Sequence, residues 1–164
     1  MKKLKIKNYH RSGFVILFAV MISSIVAAIA LGVANIAFKE IKFSTSAKDT
    51  NDSFFAADSG LECALLNDKV GGDSFIEVGG SGIVECQGGD IPLNGAFPSW
   101  NFVISRLGSA NQSCAEVTVI KDDVTYAPAI TTTVISKGRN NGGEELGVCA
   151  QNPSSVEREL LLNY

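Results

Sequence analysis

The residue types that most often carry chemistry are few in this chain of 164 residues. It has one histidine, His10, and four cysteines, Cys63, Cys86, Cys114 and Cys149. No two cysteines have the C-x-x-C spacing of a zinc site, so two disulfides are the favoured interpretation for an exported protein. Four cysteines allow three pairings, and their order along the chain favours Cys63–Cys86 and Cys114–Cys149.

Other patterns that could bind a ligand or support catalysis are unspecific. The glycine run Val78–Gly82 lacks the Gly-Lys-Ser/Thr of a phosphate-binding loop, so a turn is predicted there. The segment Lys121-Asp122-Asp123 lacks the spacing of an EF-hand calcium loop, so an acidic turn is predicted there. If the segment holding His10 is removed, no Ser-His-Asp or Cys-His site can form. We therefore expect no enzyme, no cofactor and no bound metal.

The chain is organised around an apolar stretch from Gly13 to Phe38 that contains no charged residue. As a helix it would be about 39 Å long at about 1.5 Å per residue, which exceeds a bilayer core of about 30 Å. Basic residues without any acidic one precede it, namely Lys2, Lys3, Lys5, Lys7 and Arg11. This bias predicts a cytoplasmic N-terminus and an exported C-terminal part.

Three interpretations of the apolar stretch compete. It could be a permanent signal anchor with an outer domain. It could be a secretory signal cut after Ala28-Ile29-Ala30, which would make Leu31 the first mature residue. The apolar run continues through Ile36, however, so that cut would leave apolar residues in water. The third interpretation places the cut in front of the helix, between Gly13 and Phe14.

The border between the basic leader and the helix, Ser12-Gly13-Phe14, resembles the processing site of type IV pilins and pseudopilins. By that resemblance, a prepilin peptidase cuts after Gly13 and N-methylates Phe14. Phe18 stands at the fifth mature position, where typical major pilins have Glu. PilX-type minor pilins and the large tip pseudopilin also lack that Glu. Phe54–Glu62 is similar to the AA-(D/E)-x-G-(L/I)-E segment of PilX-like N-terminal regions, and the resemblance covers about residues 8–66.

The resemblance implies a minor structural subunit of a type IV pilus or a type II secretion-like filament. Its expected partners are other pilin subunits through the N-terminal helix, the prepilin peptidase, the inner-membrane assembly platform and, before assembly, membrane lipid. Its expected location is the bacterial inner membrane with the N-terminus inside, and then a surface or periplasmic filament. The rival function is a single-span anchored binding domain that does not polymerise.

Charge argues against a nucleic-acid partner. The whole chain has 14 Lys and Arg against 17 Asp and Glu, a net charge of −3. The leader holds five of the basic residues and none of the acidic ones, so nine basic and seventeen acidic residues follow it, a net charge of −8. An acidic body does not offer the broad basic surface that nucleic acids require.

The predicted fold class is α+β, with a long N-terminal helix packed on a small antiparallel β-sheet head, as in pilins. The predicted segments are a basic leader (1–13), a transmembrane or assembly helix (14–38), an amphipathic helix half (39–69) and a disulfide-bonded head (70–164). No proline before Pro92 interrupts the helix. A stripe at spacings of three and four is predicted to pack on the sheet, and it comprises Phe43, Ala47, Thr50, Phe54, Ala57, Leu61 and Leu65.

The head shows short β-branched and aromatic runs separated by glycine-rich turns. The predicted strands are Phe75–Val78, Ile83–Cys86, Trp100–Leu107, Ala115–Lys121, Ile130–Ser136 and Val156–Asn163. Two loops are predicted, Gln87–Ser99 and Gly138–Ser155. Loops of this length are either functional or mobile. The part 138–148 is the better candidate for a contact surface, and the alternative is a solvated hairpin.

Overall fold

The structure is a computed structural model that describes residues 12–70, 74–76, 82–122 and 131–164. These residues form one helix, α1 (Ser12–Lys69), and seven strands. The strands are β1 (Ile83–Cys86), β2 (Gly89–Pro92), β3 (Asn94–Ala96), β4 (Ser99–Leu107), β5 (Ser113–Asp122), β6 (Thr131–Arg139) and β7 (Glu157–Asn163). The chain divides into two compact units, Met1–Thr45 and Ser46–Tyr164. The α+β architecture predicted from the sequence is confirmed.

All strand pairs in the second unit are antiparallel. Five strands form one sheet in the order β3-β4-β5-β6-β7, and β1 and β2 form a separate hairpin. Side chains of β4 alternate between buried and exposed or half-buried positions, and β5 and β6 show the same alternation over most of their length. This is the pattern of a sheet with one face against a helix and the other towards water.

Small residues mediate the packing of the helix on the sheet. The buried positions of α1 are Ser53, Ala56, Ala57, Gly60, Cys63, Ala64 and Asn67. The predicted stripe is wrong at Phe54, which is 44% exposed, and at Phe43, which is 79% exposed, whereas Leu61 is partly buried against the core. The backbones approach too closely for large side chains: a Cβ on Gly138 of β6 would collide with the backbone of Ala57. The Ser136 hydroxyl also donates a 2.6 Å hydrogen bond to the Ala57 carbonyl.

The large core side chains come from the strands and from Phe75, which lies between α1 and β1, rather than from the helix. Phe102, Ile104, Val117, Val119 and Val134 are fully or almost fully buried. Each contributes roughly 1.5–3 kcal/mol by leaving water. Trp100 is also buried, and its ring meets that of Phe75 edge to face at 5.9 Å between centroids. The head therefore has its own apolar core.

The strand predictions hold for the central sheet and fail around residue 90. Ile83–Cys86 is confirmed as predicted, whereas the predicted loop Gln87–Ser99 contains β2 and β3. Phe75 and Ile76 are not in a strand, and the rest of that predicted strand, like Ile130, lies outside the described residues. Gln87 and Gly88 connect β1 to β2 with φ of 54° and 73°. Positive φ at both turn positions matches a type I′ hairpin, whose usual Asn-Gly or Asp-Gly signature is missing here.

A polar cluster ties the end of α1 to the sheet. The Tyr164 hydroxyl donates a 2.9 Å hydrogen bond to Oδ2 of Asp68, and Lys121 forms an ion pair with the same carboxylate. The Lys69 ammonium lies 4.1 Å from the centre of the Tyr164 ring. Burial, together with the hydrogen bond to Asp68, raises the pKa of Tyr164 above its usual value. The cluster therefore favours the protonated phenol.

We expect Tyr164→Phe to lower the free energy of unfolding near neutral pH by about 1–2 kcal/mol, because Asp68 loses a hydrogen bond. A raised pKa in the folded state means that this stabilisation is present below about pH 10 and is lost as the pH rises further. Urea unfolding of the full chain in detergent, followed by Trp100 fluorescence, measures both effects. An unchanged gap between wild type and variant from about pH 8 to about pH 11 would contradict the assignment.

Candidate functional site

The first candidate surface is the helix in the N-terminal unit. Every residue from Phe14 to Phe38 is exposed within the structure, and none of them is charged. By length and composition, the helix from Phe14 onward contains a stretch apolar enough to cross a membrane. So large an exposed apolar surface is not stable in water, and lipid or other apolar helices are the environments that would cover it.

The two serine side chains within this stretch are hydrogen-bonded to the helix backbone, which suits an apolar environment. The Ser23 hydroxyl donates to the Ala19 carbonyl and the Ser24 hydroxyl donates to the Met21 carbonyl, both at 2.8 Å. The helical backbone satisfies its own hydrogen bonds along the span, which is what a bilayer requires. Gly32 has no heavy atom within 4 Å of the position where a Cβ would stand. The helix surface is therefore open to close approach at that point.

The predicted processing site lies at the beginning of the same helix. Gly13 and Phe14 are in the first turn of α1, and the Phe14 side chain is 80% exposed. Residues 1–11, which hold the basic leader and His10, lie outside the described residues. The sequence-based assignment of Gly13 and Phe14 as the cleavage and methylation site stays a prediction.

The second candidate surface is the loop between β6 and β7 in the head. The structure joins Cys63 to Cys86 and Cys114 to Cys149, which is the pairing that chain order favours. Arg139 holds the base of the loop, because its Nη1 donates a 2.9 Å hydrogen bond to the Cys149 carbonyl. The same guanidinium forms a 2.8 Å ion pair with Glu157. The base of the loop is therefore held by one disulfide and one buried arginine.

The loop has two exposed stretches, Glu144–Val148 at its tip and Ala150–Ser154 after Cys149. Gly142 and Gly143 are buried, and Gly143 donates a backbone hydrogen bond to the Gln112 carbonyl at 2.8 Å. The residues Glu144–Val148 are exposed, with the Leu146 side chain 70% exposed. Within the predicted contact region 138–148, only residues 144–148 are exposed, and the contact role itself stays a prediction.

The described residues show no cluster of metal ligands. No three His, Cys, Asp or Glu side chains come together among them. Lys121, which precedes Asp122 and Asp123 in the predicted acidic turn, forms an ion pair with Asp68 at the end of α1. Asp123 lies outside the described residues. A polar cavity of about 280 Å³ next to the helix is lined by Lys48, Asp49 and Asp52 together with serine and asparagine side chains. This mixed lining of a cation, two carboxylates and neutral amides indicates no single ligand class.

Comparisons with known proteins add no family assignment. No protein-family model, no curated protein and no solved structure matches this chain.

The sequence led directly to the apolar helix but missed a third feature, a groove beside the β1–β2 hairpin. It missed the groove because the segment Gln87–Ser99 reads as a glycine- and proline-containing loop. The signals that could have revealed the strands are the glycine after Gln87 and the pair Ile91 and Leu93, which pack against the core. Both signals are weak when the strands with which these residues pair are not known.

Proposed function

We propose that this chain is a structural subunit, a minor pilin or pseudopilin, of a type IV pilus or a type II secretion-like filament. The proposal rests on one observation, the exposed and charge-free first part of α1, which begins at Gly13-Phe14. The same helix continues without a break to Lys69. A prepilin peptidase removes residues 1–13 and N-methylates Phe14. The helix first lies in the bacterial inner membrane and then packs among sister helices in the filament.

Moving the helix from the membrane into a filament changes the free energy of apolar burial little. Lipid tails and neighbouring apolar helices cover Phe14–Phe38 equally well, so hydrophobic burial changes little on assembly. Association then depends on van der Waals packing, which small residues favour because they let backbones come close. The small residues of the span include Ala27, Ala28, Ala30 and Gly32.

A minor position in the filament is supported by Phe18. A carboxylate in the bilayer centre costs about 2.5–3.5 kcal/mol on insertion scales, and typical major pilins carry one at this position. In those proteins the carboxylate is thought to meet the terminal amine of a neighbouring subunit. With Phe18 there, this chain avoids the cost and lacks that attraction, which suits a subunit present in few copies.

The proposed function is tested by locating the chain in native material. We expect processed protein to be present in filaments sheared from cells or in an isolated pseudopilus, because the helix leaves the membrane on assembly. Immunogold labelling with antibodies against the exposed Glu144–Val148 tip should be sparse or confined to filament ends. Protein found only in membranes would favour the anchored binding domain, and dense uniform labelling would contradict a minor subunit.

A further inference from the structure

The chain contains two Asn-Gly pairs, Asn94-Gly95 and Asn141-Gly142. An asparagine before a glycine is especially prone to lose its side-chain amide, because glycine has no Cβ to shield its backbone nitrogen from the neighbouring side chain. The structure places the first pair in the strand β3 and the second in the loop just after β6, where Gly142 has a φ of 98°. Any difference in reactivity between the folded pairs therefore depends on their surroundings.

The Asn141 side chain has an unusual environment. Its Oδ1 is buried and has no hydrogen-bond partner in the part of the chain that the structure describes. Buried polar atoms are nearly always hydrogen-bonded, so such an atom indicates strain, a missing water molecule or a chemical role. The polar cavity of about 280 Å³ next to the helix is lined in part by Asn141 and is large enough to admit water.

The backbone nitrogen that follows Asn141 is also unbonded, although the groups on either side of it are held. The Asn140 carbonyl accepts a 3.2 Å hydrogen bond from the Ser113 hydroxyl. The Gly142 carbonyl accepts a 2.8 Å hydrogen bond from the Ala150 amide. Among residues 12–70, 74–76, 82–122 and 131–164, however, no acceptor is bonded to the Gly142 N–H. The nitrogen that could attack the Asn141 side chain is therefore free.

Asn94 lies in a contrasting setting. β3 pairs with β4, so that Asn94 is opposite Asn101 and Gly95 is opposite Trp100. An extended strand directs each side chain away from the next backbone nitrogen, and the ladder resists the rotation that would bring them together. Asn94 is also the more exposed of the two asparagines. A comparison of the two pairs thus separates the effect of backbone conformation from that of access to solvent.

We propose that Asn141 is a self-modification site that loosens the β6–β7 loop when it reacts, with water as the only co-reactant. The Gly142 nitrogen gives its proton to solvent and attacks Cγ of Asn141. A C–N bond forms, the bond from Cγ to the side-chain nitrogen breaks, and that nitrogen takes up a proton and leaves as ammonia. Water then opens the five-membered imide at either carbonyl carbon, which yields aspartate in a normal or a β-linked backbone. This inference does not depend on the filament role.

The product disturbs the base of the loop in two ways. Its carboxylate replaces an acceptor that is already buried and unpaired, in a cavity lined by two further carboxylates, Asp49 and Asp52, and one cation, Lys48. A buried charge without a partner is unfavourable. The β-linked backbone is also one carbon longer, which misaligns the hydrogen bond between the Gly142 carbonyl and the Ala150 amide.

The test follows both pairs in one sample of the full chain in detergent, kept in mildly alkaline buffer and analysed over time by peptide mass mapping. Each rate is divided by the rate of the same pair in chain unfolded in guanidinium with its disulfides reduced. We expect the normalised rate at Asn141 to be at least about fivefold higher than at Asn94, because the strand fixes the Asn94 backbone. An equal or higher normalised rate at Asn94, or no reaction at Asn141 while the unfolded chain reacts, would overturn the proposal.

Two variants test the effect on the loop. Asn141→Asp imitates the normally linked product, and Asn94→Asp is the matched control. We expect the Gly143 and Ala150 amides to exchange hydrogen at least about fivefold faster in Asn141→Asp than in the wild type, because an unpaired buried charge favours local opening. In Asn94→Asp both amides should exchange as in the wild type. Unchanged exchange in Asn141→Asp, or equal acceleration in the control, would also overturn the proposal.

Discussion

Replacing Gly13 with leucine is expected to abolish removal of the leader, so that the full-length chain accumulates in the membrane. In the proposed function the peptidase must accept an extended backbone at the edge of the membrane, and Gly13 is the residue on the leader side of the cut. Glycine places no side chain there and unwinds from a helix more readily than other residues, by roughly 1 kcal/mol relative to alanine. Leucine adds a bulky side chain and favours the helical first turn of α1.

The measurement is the mass of the protein recovered from cells that contain the assembly system. Gly13→Leu should retain residues 1–13 and be missing from sheared filaments. Ser12→Ala is the control, because it changes the neighbouring residue without adding bulk, and its processing should match the wild type. Normal trimming of Gly13→Leu would remove the support for a cut at this position.

The second large effect is expected for Gly138→Ala in β6. A Cβ at this position would overlap the Ser53 carbonyl and the backbone of Ala57, neither of which can move without displacing α1. Overpacking of this kind costs typically 1–3 kcal/mol and occasionally more, and we expect about 3 kcal/mol here because the clash is with helix backbone rather than with a flexible side chain. The variant head should therefore unfold at much lower urea concentration.

Trp100 is a suitable reporter for this experiment, because it is the single tryptophan and is buried in the head. Gly89→Ala is the matched control: a Cβ there meets only the Cys86 carbonyl at 4.0 Å. We expect that control to change stability by less than about 1 kcal/mol. Similar urea midpoints for Gly138→Ala and wild type would show that the helix does not lie as close to β6 as described.

The elements with strong periodic or compositional signals could be predicted from the sequence. The charge-free run before Phe38 and the absence of proline before Pro92 predict α1 almost to its ends, and alternation predicts β5 well. The packed face of the helix could not be predicted in the same way. Hydrophobicity predicts that Phe54 is more buried than Gly60. The close approach of Gly138 to the helix, however, leaves room only for small residues on the packed face, and Phe54 points outward.

The groove beside the β1–β2 hairpin could be predicted from the sequence even less well. Gly89–Pro92 pairs with β1 through a turn in which Gln87 has a positive φ, whereas Asn94–Ala96 pairs with β4. The choice of partner strand is a tertiary contact about which local propensity carries little information. The disulfide pairing, in contrast, follows chain order: Cys63 of α1 is joined to Cys86 of β1, and Cys114 of β5 to Cys149 in the loop between β6 and β7.

The first residue of the protein in native membranes or filaments tests the filament role most directly. Intact-mass and N-terminal fragment spectra of the isolated protein distinguish the possibilities in one experiment. The account predicts a chain that begins with N-methylated Phe14. A chain that retains Met1, or one that begins at Leu31, would contradict it.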